Sequence, residues 1–395
     1  MKAAFFYDGN FLRSKKNEIF SKGGFPYKIW RRYLAHFECI IVTARCKEIQ
    51  AGEEGKCVLS SGDNVFFQPV PSINNITIFK NYKKARNIIR KVLLQVDCAI
   101  IRLPSMTGLV ACFECIRMKK PWAVEVVGCA WDALWNHGSI KGKIIAPIMF
   151  LLNKYFIKKA PYAIYVSKHF LQSRYPCDGF VTDCSDVDIS MPQEEVLKKR
   201  LDRIDKGFDQ RPINFGMIGS LDVAYKGHET AIRALASIKN QIKDFKLLLL
   251  GPGNTARWKQ LAVSLGIGDN IVFCGTLPGG DPVLKWLDEI DIFLMPSLQE
   301  GLPRALVEAM SRGCPAIGAR TGGIPELLNE EYIHRPKDIK ALVNLIIKLI
   351  SSKELMKKSA IENFERSKEY SKDVLDNKRN KFWSEFRKYV ESKNV

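Results

Sequence analysis

No stretch of this 395-residue chain approaches the roughly 20 consecutive apolar residues that a bilayer-crossing helix requires. A membrane protein built on spanning helices is thereby excluded. Nor is a secretory leader visible: the apolar run of residues 3–7 stops at Asp8, too short for a signal sequence and suited to a first strand. The protein is expected to stay in the cytosol. Eleven cysteines, an odd number, give no complete disulfide framework, and several, such as Cys98, Cys129 and Cys274, lie in apolar contexts that suit reduced thiols. Cys112-Phe113-Glu114-Cys115 has neither a second cysteine pair nor a histidine cluster nearby, which argues against a metal or redox centre. Internal repeats and low-complexity tracts are also absent, which excludes a repeat architecture.

Acid is scarce in one half only. Residues 1–177 carry 28 Lys and Arg against 11 Asp and Glu, whereas the remainder carries 33 against 31. The first half therefore faces something acidic or tolerates self-repulsion, and an anionic membrane surface and nucleic acid are the obvious partners. A nucleic-acid binder would show a recognisable module or aromatics interleaved with its cations, and neither is found. Residues 80–91 begin a basic helical pattern that reads as a solvated face. Residues 144–152 form an apolar centre flanked by Lys141, Lys143, Lys154, Lys158 and Lys159. That pattern is shared by an interfacial helix and by a core helix with snorkelling lysines, and both readings stay open.

The length, with 46% hydrophobic residues, allows two domains with real cores. Strand candidates at residues 3–7, 38–44, 98–103, 122–127 and 162–166 alternate with helical patterns at 25–37, 105–118 and 144–158. Such alternation predicts a parallel sheet with helices on both faces. The polar stretch 178–211 breaks the rhythm and is expected to be a linker. Strands at 213–218, 246–250, 271–273, 291–295 and 315–318 then restart it, with helices near 228–241 and 256–265, as a second doubly wound domain. Helical patterns at 339–349 and 374–390 finish the chain. Ligands of open α/β sheets bind beyond the carboxyl ends of the strands, which is where the site is sought.

Most informative is Pro296-Ser297-Leu298-Gln299-Glu300-Gly301-Leu302-Pro303-Arg304-Ala305-Leu306-Val307-Glu308-Ala309-Met310, followed by Arg312-Gly313-Cys314-Pro315 and Gly322-Gly323-Ile324-Pro325-Glu326. It reads as the end of a buried strand, a loop with one carboxylate and a helix with another. Pro303 suits the first helical position, where a missing N–H costs nothing. The unpaired N–H groups of that turn and the helix dipole favour an anion such as a diphosphate. Arg304 opposes the dipole by roughly 0.3–1 kcal/mol unless an anion compensates it. Glu300 and Glu308 can reach different parts of one elongated ligand, and carboxylates accept hydrogen bonds from vicinal hydroxyls of a hexose or a ribose. A second strand, loop and helix start, Gly219-Ser220-Leu221-Asp222-Val223-Ala224-Tyr225-Lys226-Gly227-His228, again sets a cation at a helix N-terminus.

Glu300 to Glu308 resembles the E-x7-E motif of the family 4 glycosyltransferases, retaining enzymes of GT-B fold, and the flanking residues match its surroundings. The resemblance covers nearly the whole chain, tight over residues 213–326 and loose before 178. It implies an α/β architecture of two doubly wound Rossmann-like domains facing a central cleft: an acceptor-binding domain at 1–177, the linker at 178–211, a nucleotide-sugar-binding domain at 212–372, and a helix at 373–395 packing back on the first domain. It further implies a hexosyltransferase that uses a nucleoside diphosphate sugar, UDP placed ahead of GDP, with no metal or other cofactor, the donor being a substrate. Glu300 would contact the donor sugar and Glu308 the ribose, with Gly301, Leu302, Pro303, Arg304 and Ala305 near the sugar and phosphates. Gly219, Ser220 and Lys226 would form the diphosphate site, with Lys226 and Glu300 acting in catalysis. Ser220 stands where the family offers an arginine, and Arg304 is the candidate to supply that charge.

Gly275-Thr276-Leu277 resembles the segment that reads the nucleobase, with Leu277 against the base. The turn Gly251-Pro252-Gly253 borders the cleft in the family. In the first domain, Gly23-Gly24 resembles the family's glycine loop, whose backbone approaches a phosphate or sugar closely. Asp132 and His137, within the segment 128–138, are the candidates for catalytic contact with donor sugar or acceptor. Asp186-Val187-Asp188 has the D-x-D spacing of a metal motif but lies in the expected linker, and no metal is expected.

The basic first half suits a polyprenyl-diphosphate-linked saccharide acceptor of O-antigen or capsule synthesis, and a peripheral protein on the anionic inner face of the cytoplasmic membrane. Two other readings remain: a sugar-nucleotide epimerase or phosphorylase of similar fold, which would need a different catalytic set, and a non-enzymatic binder of nucleic acid or polysaccharide. The latter would bind no nucleotide sugar and would be indifferent to Glu300→Ala.

Overall fold

The computed structural model describes residues 1–50, 57–73, 78–136, 139–209 and 211–393. The chain divides into two compact units, one of Met1–Trp131, Ile140–Cys184 and Asn377–Val395, the other of Asp132–Ser139 and Ser185–Asp376.

The first unit is built on β1 (Lys2–Arg13), β2 (Ile19–Ser21), β3 (Cys39–Glu48), β4 (Val58–Leu59), β5 (Val65–Pro69), β6 (Cys98–Leu103), β7 (Trp122–Val126), β8 (Tyr162–Tyr165) and β9 (Phe180–Asp183). Seven of these run parallel in the order β5-β3-β1-β6-β7-β8-β9. The short β2 pairs antiparallel with the far end of β1, and β4 pairs antiparallel with β2. Ala3, Ala4, Phe5 and Phe6 are fully buried, as expected of a central parallel strand covered on both faces.

The strand order reverses at β1, so the carboxyl ends of β1 and β6 flank a switch point. There Asp8, at a register irregularity between Phe6 and Asn10, accepts hydrogen bonds from the amides of Met106 at 2.6 Å and Thr107 at 3.1 Å. Ser105 Oγ accepts from the Gly108 amide at 2.8 Å. The N-terminus of helix Met106–Met118 is thus satisfied by the chain's own side chains.

The stretch expected as a linker, 178–211, is a correction. It contains β9 and the helix Glu194–Lys206. β9 extends the first sheet by pairing with β8. The helix is fastened to the second unit by buried Arg200, which donates to the carbonyls of Leu287 at 2.9 Å, Arg312 at 3.1 Å and Ile290. A polar exposed face concealed these anchors. From Asn377 onward the helix Lys372–Lys393 belongs to the first unit. Its Phe382, Trp383, Phe386 and Val390 are buried, with Trp383 5.4 Å from the Tyr33 ring and Phe386 5.4 Å from that of Tyr162.

The second unit carries β10 (Ile213–Ile218), β11 (Phe245–Leu250), β12 (Ile271–Gly275), β13 (Ile292–Met295), β14 (Ala316–Ala319) and β15 (Ile333–His334). All are parallel, in the order β12-β11-β10-β13-β14-β15. Its switch point lies between β10 and β13. All eleven cysteines are free thiols, and burial pushes the pKa of Cys112 and Cys115 upward, which keeps them protonated.

Candidate active site

Two loops meet beyond β10 and β13. The first leaves β10 at Gly219, whose amide donates to the Leu250 carbonyl at 2.9 Å, and is pinned again by Leu221 N–H to the Pro252 carbonyl at 2.8 Å. It ends in a 3-10 turn, Ala224–Lys226, before helix His228–Ser237. Gly227 joins them at φ +80°, and a Cβ there would stand 2.1 Å from the Pro296 carbonyl oxygen. Only glycine permits this approach. The stem of Lys226 lies over Gly219, where a Cβ would come within 3.0 Å of Lys226 Cγ, and its ammonium donates to Glu300 Oε1 at 2.7 Å.

The second loop, residues 296–303, is held along its length. Leu298 N–H donates to the Tyr225 carbonyl at 2.7 Å and Gly323 N–H to the Gly301 carbonyl at 2.6 Å. Thr321 Oγ1 donates to the Ser297 carbonyl at 2.8 Å, and Asn136 Nδ2 to the Leu298 carbonyl at 3.1 Å. Gly322, at φ +56°, sits where a Cβ would be 2.1 Å from the Glu300 carbonyl oxygen. The Gly322-Gly323 pair is therefore a clamp on the backbone of Glu300.

The following helix is Arg304–Ser311, with Pro303 at the N-cap and Arg304 in the first helical position, a shift of one residue from the sequence expectation. Proline offers no capping side chain. The amides of Leu306 and Val307 return to the Pro303 carbonyl at 3.2 and 3.3 Å, while those of Arg304 and Ala305 donate to nothing among the described residues. Arg304 is exposed and makes no hydrogen bond or ion pair among them. One turn on, burial pushes the Glu308 carboxyl pKa above its usual value; the Arg304 charge opposes the shift and the Asp188 charge adds to it. Beneath Lys226, buried His228 rests 5.2 Å from the Trp258 ring, and its pKa is driven down to about 4, mainly by burial and further by the Lys226 charge.

The structure thus brings Gly219, Lys226, Glu300 and Gly301 together around the open helix start that carries Leu302, Pro303, Arg304 and Ala305. Ser220 has a local role, its Oγ accepting from the Asp222 amide at 3.3 Å, and brings no charge. Leu277 lies two residues past β12, partly exposed. Gly23 and Gly24 lie in the first unit between β2 and helix Tyr27–Leu34; Gly23 has φ +92°, and a Cβ on either meets nothing within 4 Å. Asp132 falls in the first turn of helix Ala130–Trp135 and groups with the second unit rather than with residues 1–131, a correction to the expected domain division. His137 lies outside the described residues. Asn136 and Thr321 were not singled out from the sequence, since hydrogen bonds to carbonyls 162 and 24 positions away leave no local pattern.

Two unpaired amides and two cations can seat a dianionic group, with one carboxylate beside it and a second, its pKa raised by burial, a turn along the helix. The family model described as glycosyl transferases group 1 matches residues 212–352. Over 392 residues the chain is 33% identical to the protein CapJ of Staphylococcus aureus, spanning 99% of this chain and 97% of CapJ. It is 35% identical over 136 residues to the amylovoran biosynthesis glycosyltransferase AmsK of Erwinia amylovora, 31% of this chain and 33% of AmsK. The solved structure of Anabaena HepE in complex with UDP matches with a TM-score of 0.63 at 16% identity, over 98% of this chain and 100% of HepE.

Proposed function

The chain belongs to the group 1 glycosyl transferases and has their GT-B fold, and from that premise we propose that it moves a hexose from a nucleoside diphosphate sugar, UDP-linked ahead of GDP-linked, to a hydroxyl of a surface polysaccharide under construction. The observation that carries this reading is the uncapped start of helix Arg304–Ser311 facing the Lys226–Glu300 pair. The donor's diphosphate takes the place of Glu300 as partner of Lys226 and accepts from the amides of Arg304 and Ala305. Glu300 is then left to accept hydrogen bonds from hexose hydroxyls, and Glu308 from the ribose. HepE, solved with UDP, supports the choice of base, and AmsK, named for amylovoran synthesis, supports a polysaccharide product. The acceptor is a polyprenyl-diphosphate-linked saccharide.

Transfer proceeds with retention and needs no strong protein base. The acceptor oxygen bonds to the anomeric carbon as the bond from that carbon to the β-phosphate oxygen breaks. The acceptor's proton passes to the departing phosphate oxygen on the same face. The protein contributes fixed donors aimed where negative charge grows, so little reorganisation is needed in the reacting state. Calorimetric titration of the full chain with UDP, GDP and ADP tests the reading. UDP is expected to bind tightest and to lose at least tenfold in affinity in Glu308→Ala. Failure of both UDP and GDP to bind would overturn it.

A further inference from the structure

The helix Ile140–Lys159 is apolar on two faces, and the core uses one of them. Gly142, Ala146, Asn153, Phe156 and Ile157 are buried. At the helical rotation of each residue, Ile140, Ile144, Ile148, Leu151, Leu152 and Tyr155 fall within an arc of about 120° on the opposite side. All six are exposed, Ile140 at 78%, Ile144 at 65% and Leu151 at 62%. No charged residue interrupts positions 144–153, and lysines stand at both ends. Snorkelling of lysines over a core helix therefore leaves the outer arc unexplained.

The surroundings select a partner. Helix Met106–Met118 packs beside this one, and helix Ile78–Leu94 packs beside Met106–Met118. Ile78–Leu94 carries six Lys and Arg and no acid. The single acid of Met106–Met118 is Glu114, fully buried and paired with Arg86 at 2.5 Å. Phe113 and Ile116 of that helix are exposed. A contiguous apolar arc in water marks an interaction surface. Ringed by cations, with no exposed acid on the three helices, it fits a partner that is apolar inside and anionic at its surface.

We propose that this three-helix face docks on an anionic lipid bilayer, with the outer arc of Ile140–Lys159 at the depth of the headgroups and first acyl carbons and its terminal lysines on lipid phosphates. No helix of the described residues is long and apolar enough to cross a membrane, so the helix lies along the surface. The inference rests on the first unit's surface and is independent of the donor-site reading, although a lipid-borne acceptor would gain from it.

Flotation of the full chain tests it, with vesicles of equal parts phosphatidylglycerol and phosphatidylcholine against phosphatidylcholine alone. Recovery with the anionic vesicles is expected to exceed that with neutral ones at least tenfold. Ile144→Glu combined with Ile148→Glu is expected to lower it at least tenfold, with the melting temperature unchanged. If that variant does not fold, Lys141→Glu with Lys158→Glu serves the same purpose. Equal flotation on both vesicles, or flotation of the folded variants at the wild-type level, would overturn the proposal. So would a dimer in sedimentation velocity that the isoleucine variant abolishes, since a second copy would then cover the arc. UDP titration of the same samples reads the donor site separately.

Discussion

The two units wind their sheets with the same reversal of strand order and then treat the same place in opposite ways. In each, a helix starts beyond the strand next to the central one. In the first unit that start is closed by Asp8, whose carboxylate takes two of the free amides of helix Met106–Met118. In the second, Pro303 closes nothing, and Lys226 leans across from the facing loop toward Glu300. A doubly wound sheet offers an anion seat wherever its order reverses. In the first unit a single aspartate fills that seat; in the second no capping side chain does so among the described residues.

The contrast breaks most visibly at Lys226. Lys226→Ala is expected to lower kcat/KM about 10²–10³-fold, the usual loss of one preorganised donor to a developing oxyanion. An equal loss in Asp8→Ala, measured by the same transfer assay, would remove the distinction between the seats. His228 sharpens it from the side of stability. Its folded pKa is depressed to about 4, so the unfolded chain takes up the proton first as the pH falls below 6.5. Unfolding free energy then declines by about 3 kcal/mol between pH 6.5 and 4. Urea titrations at those two pH values are expected to show that slope in the wild type and to lose it in His228→Asn.

At the closed seat the effects are smaller. Asp8→Ala is expected to cost about 1–2 kcal/mol of stability through the lost cap, with formate raising the melting temperature of the variant and not of the wild type. Smallest is the gain from Ser220→Arg, which restores a cation at the open seat. Its expected tightening of UDP is at most about 1 kcal/mol, roughly fivefold, by calorimetry.

Much of this was legible because burial and punctuation leave marks. Strands covered on both faces, such as β6, β7, β10 and β13, appear as apolar runs ended by glycine, proline or serine. The strand, loop and helix around Glu300 were readable from Asp291 to Glu308 alone. The strands that escaped are short or lie at the sheet's margins. Val58, Leu59, Phe180 and Val181 are exposed, so β4 and β9 carry no buried pattern, and in β5 only Val65 is buried while Phe66 is exposed. Asp8 was legible only as the acid that ends an apolar run; its role as a cap depends on amides 98 and 99 positions away. The outer arc of Ile140–Lys159 was ambiguous for the opposite reason. Its apolar residues were visible, but which of them the core would claim depends on tertiary packing.

The return of helix Lys372–Lys393 sets an order on the birth of the molecule. Tyr33, Phe37 and Tyr162 leave the ribosome early, yet the rings that cover them, Trp383 and Phe386, are made only after residues 185–376. At ordinary translation speed that delay is on the order of 10–40 s. The unit begun first is completed last, and its aromatic groove stays uncovered while the other unit is being synthesised.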